Sequence, residues 1–272
     1  MPVSPFWSDL STSAFAALDW SSVVVVAPIA AIEQHGPHLP VGVDAMIMQG
    51  VVERIVPRLR ETPRALFLPT QNVGVSTEHG DFPGTLSLSP QTALSLVLET
   101  AAGAVRAGAR KILLLNSHGG NSPLLAQAAL ELRAKYGVLA VTCSLSRFGY
   151  PQGLFDAEEL RHGIHGGCAE TSLMLALRPE LVDMSRAENF VVATRSFEQE
   201  FAWLRADRPA GFGWMARDLS PAGAMGDAAD ATPEKGEATI GLWVDAFIDL
   251  LTDVGRFDLS RLASSPNDKF GQ

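Results

Sequence analysis

The stretch Val23-Val-Val-Val-Ala-Pro-Ile-Ala-Ala-Ile-Glu-Gln-His-Gly-Pro-His-Leu-Pro-Val-Gly-Val-Asp44 leads an uncharged apolar run into a segment dense in metal-ligand side chains. Four consecutive valines, with no charge before Glu33, predict a strand buried on both faces, as in the interior of a parallel sheet. Gly36, Pro37, Pro40 and Gly42 predict irregular backbone immediately after it. Between Glu33 and Asp44 lie two carboxylates and two imidazoles, His35 and His38, which are ligand types for a divalent ion. Gly36 and Pro37 argue against a helix between the histidines, so only one of them need bind. On this segment alone, a polar loop with ordinary hydrogen bonds is the competing reading.

Working outward, Met46, Ile47, Val51, Ile55 and Leu59 recur at helical spacing and predict a helix over 45–59. The pattern then repeats. A strand at 66–68 precedes a long glycine- and proline-rich loop, 72–85, of a length that usually carries function. A helix follows from Pro90 to about Ala107, then a strand at 111–115, the turn Asn116-Ser-His-Gly-Gly-Asn121, a helix at 124–135 and a strand at 138–144. This alternation predicts an α/β fold with an open, mostly parallel sheet and helices on both faces. Ligands of such sheets bind outside the carboxyl ends of the strands, which places His35, His79 and His118 on one rim.

The remainder is less regular. Residues 1–22, with Phe6, Trp7 and Phe15, read as an N-terminal arm or layer edge. Residues 145–167 read as irregular, 169–177 as a helix with Glu170 in its first turn, and 237–254 as an amphipathic closing helix. Residues 185–231 mix charges, tryptophans and small residues and read as a mobile or oligomer-facing excursion. No linker divides the chain, so 1–272 is expected to be a single domain.

Composition narrows the function. A hydrophobic fraction of 47% excludes a disordered chain, and a dispersed net charge of −9 without a basic stripe argues against a nucleic-acid partner. No apolar run reaches the ~18 residues of a membrane span, and the N-terminus lacks the pattern of an export signal, so a cytoplasmic protein is the expectation. Cys143 and Cys168 form no Cys-x-x-Cys pair and read as core residues.

Glu33, His35, Asp44, His118 and Glu170 together could hold two divalent ions, one carboxylate bridging, with a position left for water. Such a water becomes hydroxide near neutral pH and can attack an amide, and His165 could protonate the leaving nitrogen. Glu78 and His79 read as a pair that orients a ligand, His162 as solvated and His38 as structural. Two other readings compete. The Asn116–Asn121 turn could be a phosphate cradle, although it lacks the Gly-x-x-x-x-Gly-Lys spacing, and Glu170 could simply favour a helix N-terminus.

Four segments in order, Glu33-Gln-His-Gly-Pro-His-Leu-Pro40, Glu78-His79 with Phe82-Pro-Gly-Thr85, Asn116–Asn121 and His165-Gly-Gly-Cys-Ala-Glu-Thr-Ser-Leu-Met-Leu175, resemble the creatininase (creatinine amidohydrolase) family over about residues 23–185. The resemblance implies a three-layer αβα sandwich, a two-metal amidohydrolase site holding zinc, manganese or iron with zinc favoured, and a homo-oligomer, commonly a hexamer. It implies that Glu33 and His118 bind one ion and His35 the other, that Asp44 bridges them, and that Ser76 contacts substrate. Creatininase proper carries a tyrosine and a metal-binding glutamate where this chain has Gly119 and Gly120. The missing carboxylate is therefore assigned to Glu170, as in other members with His-Gly-Gly-Asn. Ile164 and the His-Gly-Gly run at 165–167 also depart from creatininase proper, which makes creatinine itself a poor expectation. The expected activity is hydrolysis of a C–N amide bond in a small molecule such as a cyclic amide or formamide. The alternatives are a peptidase trimming a small precursor peptide and a non-catalytic oligomeric protein that binds metal or ligand.

Overall fold

Val23–Ile29 forms β1, and all seven of its residues are buried, as a run of valines requires when both sheet faces are covered. Their alternation divides them between two cores: Val24 and Val26 face one apolar cluster, Val23 and Val25 the other. The computed structural model describes residues 4–61 and 64–263. Among these, β1, β2 (Arg64–Phe67), β3 (Lys111–Asn116) and β4 (Leu139–Ser144) form a parallel sheet in the order β2-β1-β3-β4.

Helices cover both faces in three layers. After the short α1 (Thr12–Ala16), α2 (Val43–Ile55) packs on the Val24 side. The other face is covered by α3 (Pro90–Ala107) and α4 (Ser122–Tyr136). Next come α5 (Ala157–His162) and α6 (Cys168–Leu177), then α7 (Thr194–Glu200), α8 (Ala216–Leu219) and α9 (Pro233–Arg256), of which α6 and α9 join α2. The arm packs on its own chain. The Phe67 N–H donates to the Pro5 carbonyl along the β2 edge, and Trp7 packs tilted on Phe15 against the α3/α4 core.

This topology positions the site. The order departs from β1 in both directions, so the loops leaving β1 and β3 diverge at a switch point where Ile29 pairs with Asn116. Glu33 and His118 follow within a few residues.

Four sequence readings need correcting. The helix expected from residue 45 begins at Val43, which seats Asp44 in its first turn rather than in the loop. Residues 157–162, expected to be irregular, form α5, where Asp156 caps the helix by accepting from the Glu159 N–H. His162, expected to be solvated, is 3% exposed and hydrogen-bonds Thr194 at 2.8 Å, because α7 folds over it. Within the expected excursion, the short strands β5 (Asn189–Phe190), β6 (Leu204–Arg205), β7 (Ala210–Gly211) and β8 (Gly226–Asp227) punctuate the chain. Residues 219–228 are no excursion at all. Leu219 and Met225 help form a small core, and the Met225 N–H donates to the His165 carbonyl at 2.7 Å.

Candidate metal centre

The residue types that the sequence places on one rim converge on one buried cluster. Glu33 Oε1 lies 3.2 Å from His118 Nδ1, and His118 Nδ1 lies 4.0 Å from Asp44 Oδ2. Asp44 Oδ2 lies 3.8 Å from His35 Nε2, which in turn lies 3.6 Å from Glu170 Oε2. All five expected ligands are thus joined in one continuous set, with Asp44 between the two imidazoles. Glu170 reaches the cluster from α6 while also accepting from the Gly166 N–H at 2.6 Å.

The imidazoles share one arrangement. His118 Nε2 donates to the Val75 carbonyl (2.8 Å), His35 Nδ1 to the Glu33 carbonyl (3.0 Å) and His165 Nε2 to the Gln34 carbonyl (2.6 Å). Each ring therefore turns its other nitrogen toward carboxylates. For His165 this is Nδ1, 3.6 Å from Glu33 Oε1. A lone pair facing a carboxylate needs a proton or a cation between them, and a backbone carbonyl fixing the opposite nitrogen is how ligating histidines are oriented. Both Glu33 carboxylate oxygens, His35 Nε2 and Asp44 Oδ2 are buried without a hydrogen-bond partner. The donor set fits divalent ions: Glu33, His35 and Asp44 each bring one ligand atom within 4.8 Å of the others, as do His35, His165 and Glu170, and Glu33, His79 and His165.

Electrostatics agree with this crowding. Burial, and then the Glu33 charge, pushes the Asp44 carboxyl well above the usual carboxylate range. Burial likewise raises Glu170 and drives His35 well below the usual imidazole value. Burial opposes protonation of His118, but Glu33 overcomes it and raises His118 to about 10.

His79 plays a different part. The Gln34 side-chain oxygen accepts from the Gly36 N–H at 2.9 Å, so its amide nitrogen donates, at 3.1 Å to the Gly223 carbonyl and at 2.8 Å to His79 Nδ1. His79 Nε2 then carries the hydrogen and faces Glu33 Oε1 at 3.5 Å. Burial, then His165, holds this imidazole down to about 3, so it is a neutral donor. Of the remaining expected residues, Ser76 is fully buried with an unpartnered hydroxyl, and Glu78 Oε1 lies 3.9 Å from His118 Nε2. A Cβ on Gly120 would fall 2.4 Å from His118 Nε2 and 2.7 Å from Glu78 Oε1, so Glu78 occupies the space a side chain there would need. Gly119 is exposed, with nothing within 4 Å of a Cβ.

Sequence reasoning missed Gln34, Glu159 and the 223–227 backbone. Gln34 carries a signal, since a polar side chain between two ligands in a buried loop must find partners. Nothing marks Gly223, whose part is played by a carbonyl.

Comparison with known proteins agrees with the fold. The family model "Creatininase: Creatinine amidohydrolase" matches residues 8–251. The chain is 30% identical to creatinine amidohydrolase of Pseudomonas putida over 252 residues, covering 85% of this chain and 89% of that one. It is also 30% identical to the mycofactocin precursor peptide peptidase of Mycobacterium tuberculosis (strain ATCC 25618 / H37Rv) over 254 residues, covering 89% of each. Among solved structures, the manganese form titled "Creatininase Mn" superposes with a TM-score of 0.73 at 28% identity, covering 94% of this chain and all of that one. With the model spanning nearly the whole chain and the parallel sheet and loop order in place, the chain belongs to the creatininase family of hydrolases.

Proposed function

We propose that the protein is a two-metal amidohydrolase that cleaves a C–N amide bond in a small molecule such as a cyclic amide or formamide. The observation that carries this reading is the set of carbonyl-anchored imidazoles whose free nitrogens face buried carboxylates. Glu33 and His118 would hold one ion, His35 and Glu170 the other, and Asp44 would bridge them. Zinc is favoured, with manganese or iron as alternatives; similar solved structures include the manganese creatininase and a Zn–Zn form of a creatininase mutant. Bound there, divalent ions supply a water of lowered pKa and polarise the substrate carbonyl.

The chain's own residues do the rest. His165 Nδ1 faces the cluster and serves as the proton carrier to the leaving nitrogen, held in that orientation by the Gln34 carbonyl. His79 Nε2 faces Glu33 Oε1 at 3.5 Å, and the buried Ser76 hydroxyl offers a hydrogen bond to substrate. The family's missing glutamate is supplied by Glu170, not restored near residue 120, where Glu78 fills the space. The working form is a homo-oligomer, a hexamer by resemblance.

A second reading, a peptidase that trims a small precursor peptide, rests on Gly119 being exposed beside His118 with nothing within 4 Å of a Cβ there. The test is elemental analysis of the purified protein alongside Asp44→Ala. About two divalent ions per chain, lost in the variant together with hydrolysis of cyclic amides, formamides or short peptides, supports the proposal. A variant that is metal-free yet active, or a wild type that holds one ion or none after reconstitution, overturns it and leaves a non-catalytic binding protein.

A further inference from the structure

Glu159 stands on α5, outside the ligand cluster, yet it is 7% exposed. Its Oε1 accepts from the Cys168 N–H at 2.6 Å and its Oε2 from the Asp227 N–H at 2.8 Å, and the Ala169 N–H bonds it as well. A Cβ on Gly163, Gly167 or Gly226 would lie 2.2, 2.4 or 2.6 Å from one of its oxygens, so three backbone segments have closed around this carboxylate. Among the described residues no cationic side chain pairs with it. The compensation is backbone N–H groups, two of them from the first turn of the ten-residue α6, which has no capping side chain of its own.

Those N–H groups belong to the segments that hold the site. Cys168 and Ala169 lie between His165 and Glu170. Asp227 lies two residues beyond Met225, whose N–H donates to the His165 carbonyl. One carboxylate thus ties down both backbones flanking His165 and the helix start that aims Glu170.

We infer that Glu159 is a positioning residue: its carboxylate clamps segments 163–170 and 225–227 so that Glu170 and His165 present their side chains to the metal cluster. The inference rests on the two-metal reading for its consequence, though not for the clamp itself. A glutamine at 159 keeps one acceptor but sets an NH₂ against a backbone N–H, which opens the clamp on one side.

The test is Glu159→Gln, followed by amide hydrogen exchange on the metal-free protein and by zinc titration against a chelator. The expected result is faster exchange at 166–169 and 227 with protection of β1 and β3 unchanged. The ion on the His35–Glu170 side should weaken by about 10–100-fold while the Glu33–His118 ion is retained. Unchanged exchange with two ions held as in wild type overturns the inference, and so does equal loss of protection in β1 and β3, which would mark a merely structural role. A wild type that binds no zinc removes the metal reading, and the exchange readout still judges the clamp. Should Glu159→Gln not fold, Gly163→Ala decides. The three atoms nearest its Cβ all belong to the Glu159 carboxylate, so it displaces the same group and should reproduce the local exchange; its failure to do so overturns the clamp.

Discussion

Loading the metal-free protein with zinc at pH 7 should release at least one proton per chain. His118 Nδ1 lies 3.2 Å from Glu33 Oε1, and although burial opposes it, Glu33 raises the imidazole to about 10. At pH 7 only about one molecule in a thousand then has the neutral ring that a metal requires. Displacing the proton costs about 4 kcal/mol at pH 7, at about 1.4 kcal/mol per pH unit, so this residue alone makes zinc affinity rise about tenfold per unit up to about pH 10. Burial, and then Glu33, raise Asp44 well above its ordinary range, which shifts it toward the protonated form and acts on the count in the same direction. The same shift fixes the sign for the metal-free fold. His118 is raised from 6.5 to about 10 on folding, so its pair with Glu33 stabilises fully below pH 6.5, and that contribution is lost as pH rises through about 10. Calorimetric zinc titration in two buffers of different ionisation enthalpy counts the protons, and His118→Gln should lower the count by about one. A count of zero in the wild type, or an unchanged count in the variant, refutes the reasoning.

Three further outcomes follow from the geometry. His165→Ala should retain both ions and lose turnover by about 10²–10⁴-fold; full activity removes His165 from the mechanism, and loss of an ion makes its Nδ1 a ligand instead. Gly120→Glu, which restores the residue found in creatininase proper, should lower stability by about 1–3 kcal/mol because its Cβ meets His118, Glu78 and the Val75 carbonyl; an undiminished melting temperature contradicts this. Burial pushes the Cys143 thiol up to about 12 and Cys168 up to about 11, against an ordinary 9.0. At pH 8 their thiolate fractions are then roughly 10⁻⁴ and 10⁻³, so alkylation should be at least ~100-fold slower in native than in urea-unfolded protein, and equal rates refute the burial argument.

The parallel sheet was legible because its signal is local: the four valines of β1 and the apolar run of β3 each demand two covered faces, and the helices between them repeat at helical spacing. The five candidate ligands were legible for a related reason, since all but Glu170 follow a strand's carboxyl end. What escaped the sequence depends on partners far along the chain. His162 looks solvated beside Arg161 until α7 folds over it, and Asp44 looks like a loop residue until the helix start absorbs it. Glu159 looks like any surface acid of an amphipathic turn. Its signal was the set of glycines at 163, 167 and 226, and their meaning appears only once three segments meet around one carboxylate.

Charge balance gives an independent argument for what the cluster holds. Glu33, Asp44 and Glu170 meet with Glu78 close by, and among the described residues the ion-pair partners of all four are histidines alone, with no lysine or arginine. Carbonyl-anchored imidazoles offset these carboxylates only by taking up protons, and a buried charge without a partner, as on Glu33 or Asp44, is costly. Without metal the site has one recourse, which is to take up protons. It shows that recourse in both directions, with the His118 imidazole raised and the Asp44 carboxyl raised beside it. Two divalent ions would compensate the same carboxylates while using the imidazole lone pairs that protonation wastes. That difference makes proton release the natural companion of metal uptake here, with Glu170 bringing a further carboxylate to the cluster from α6.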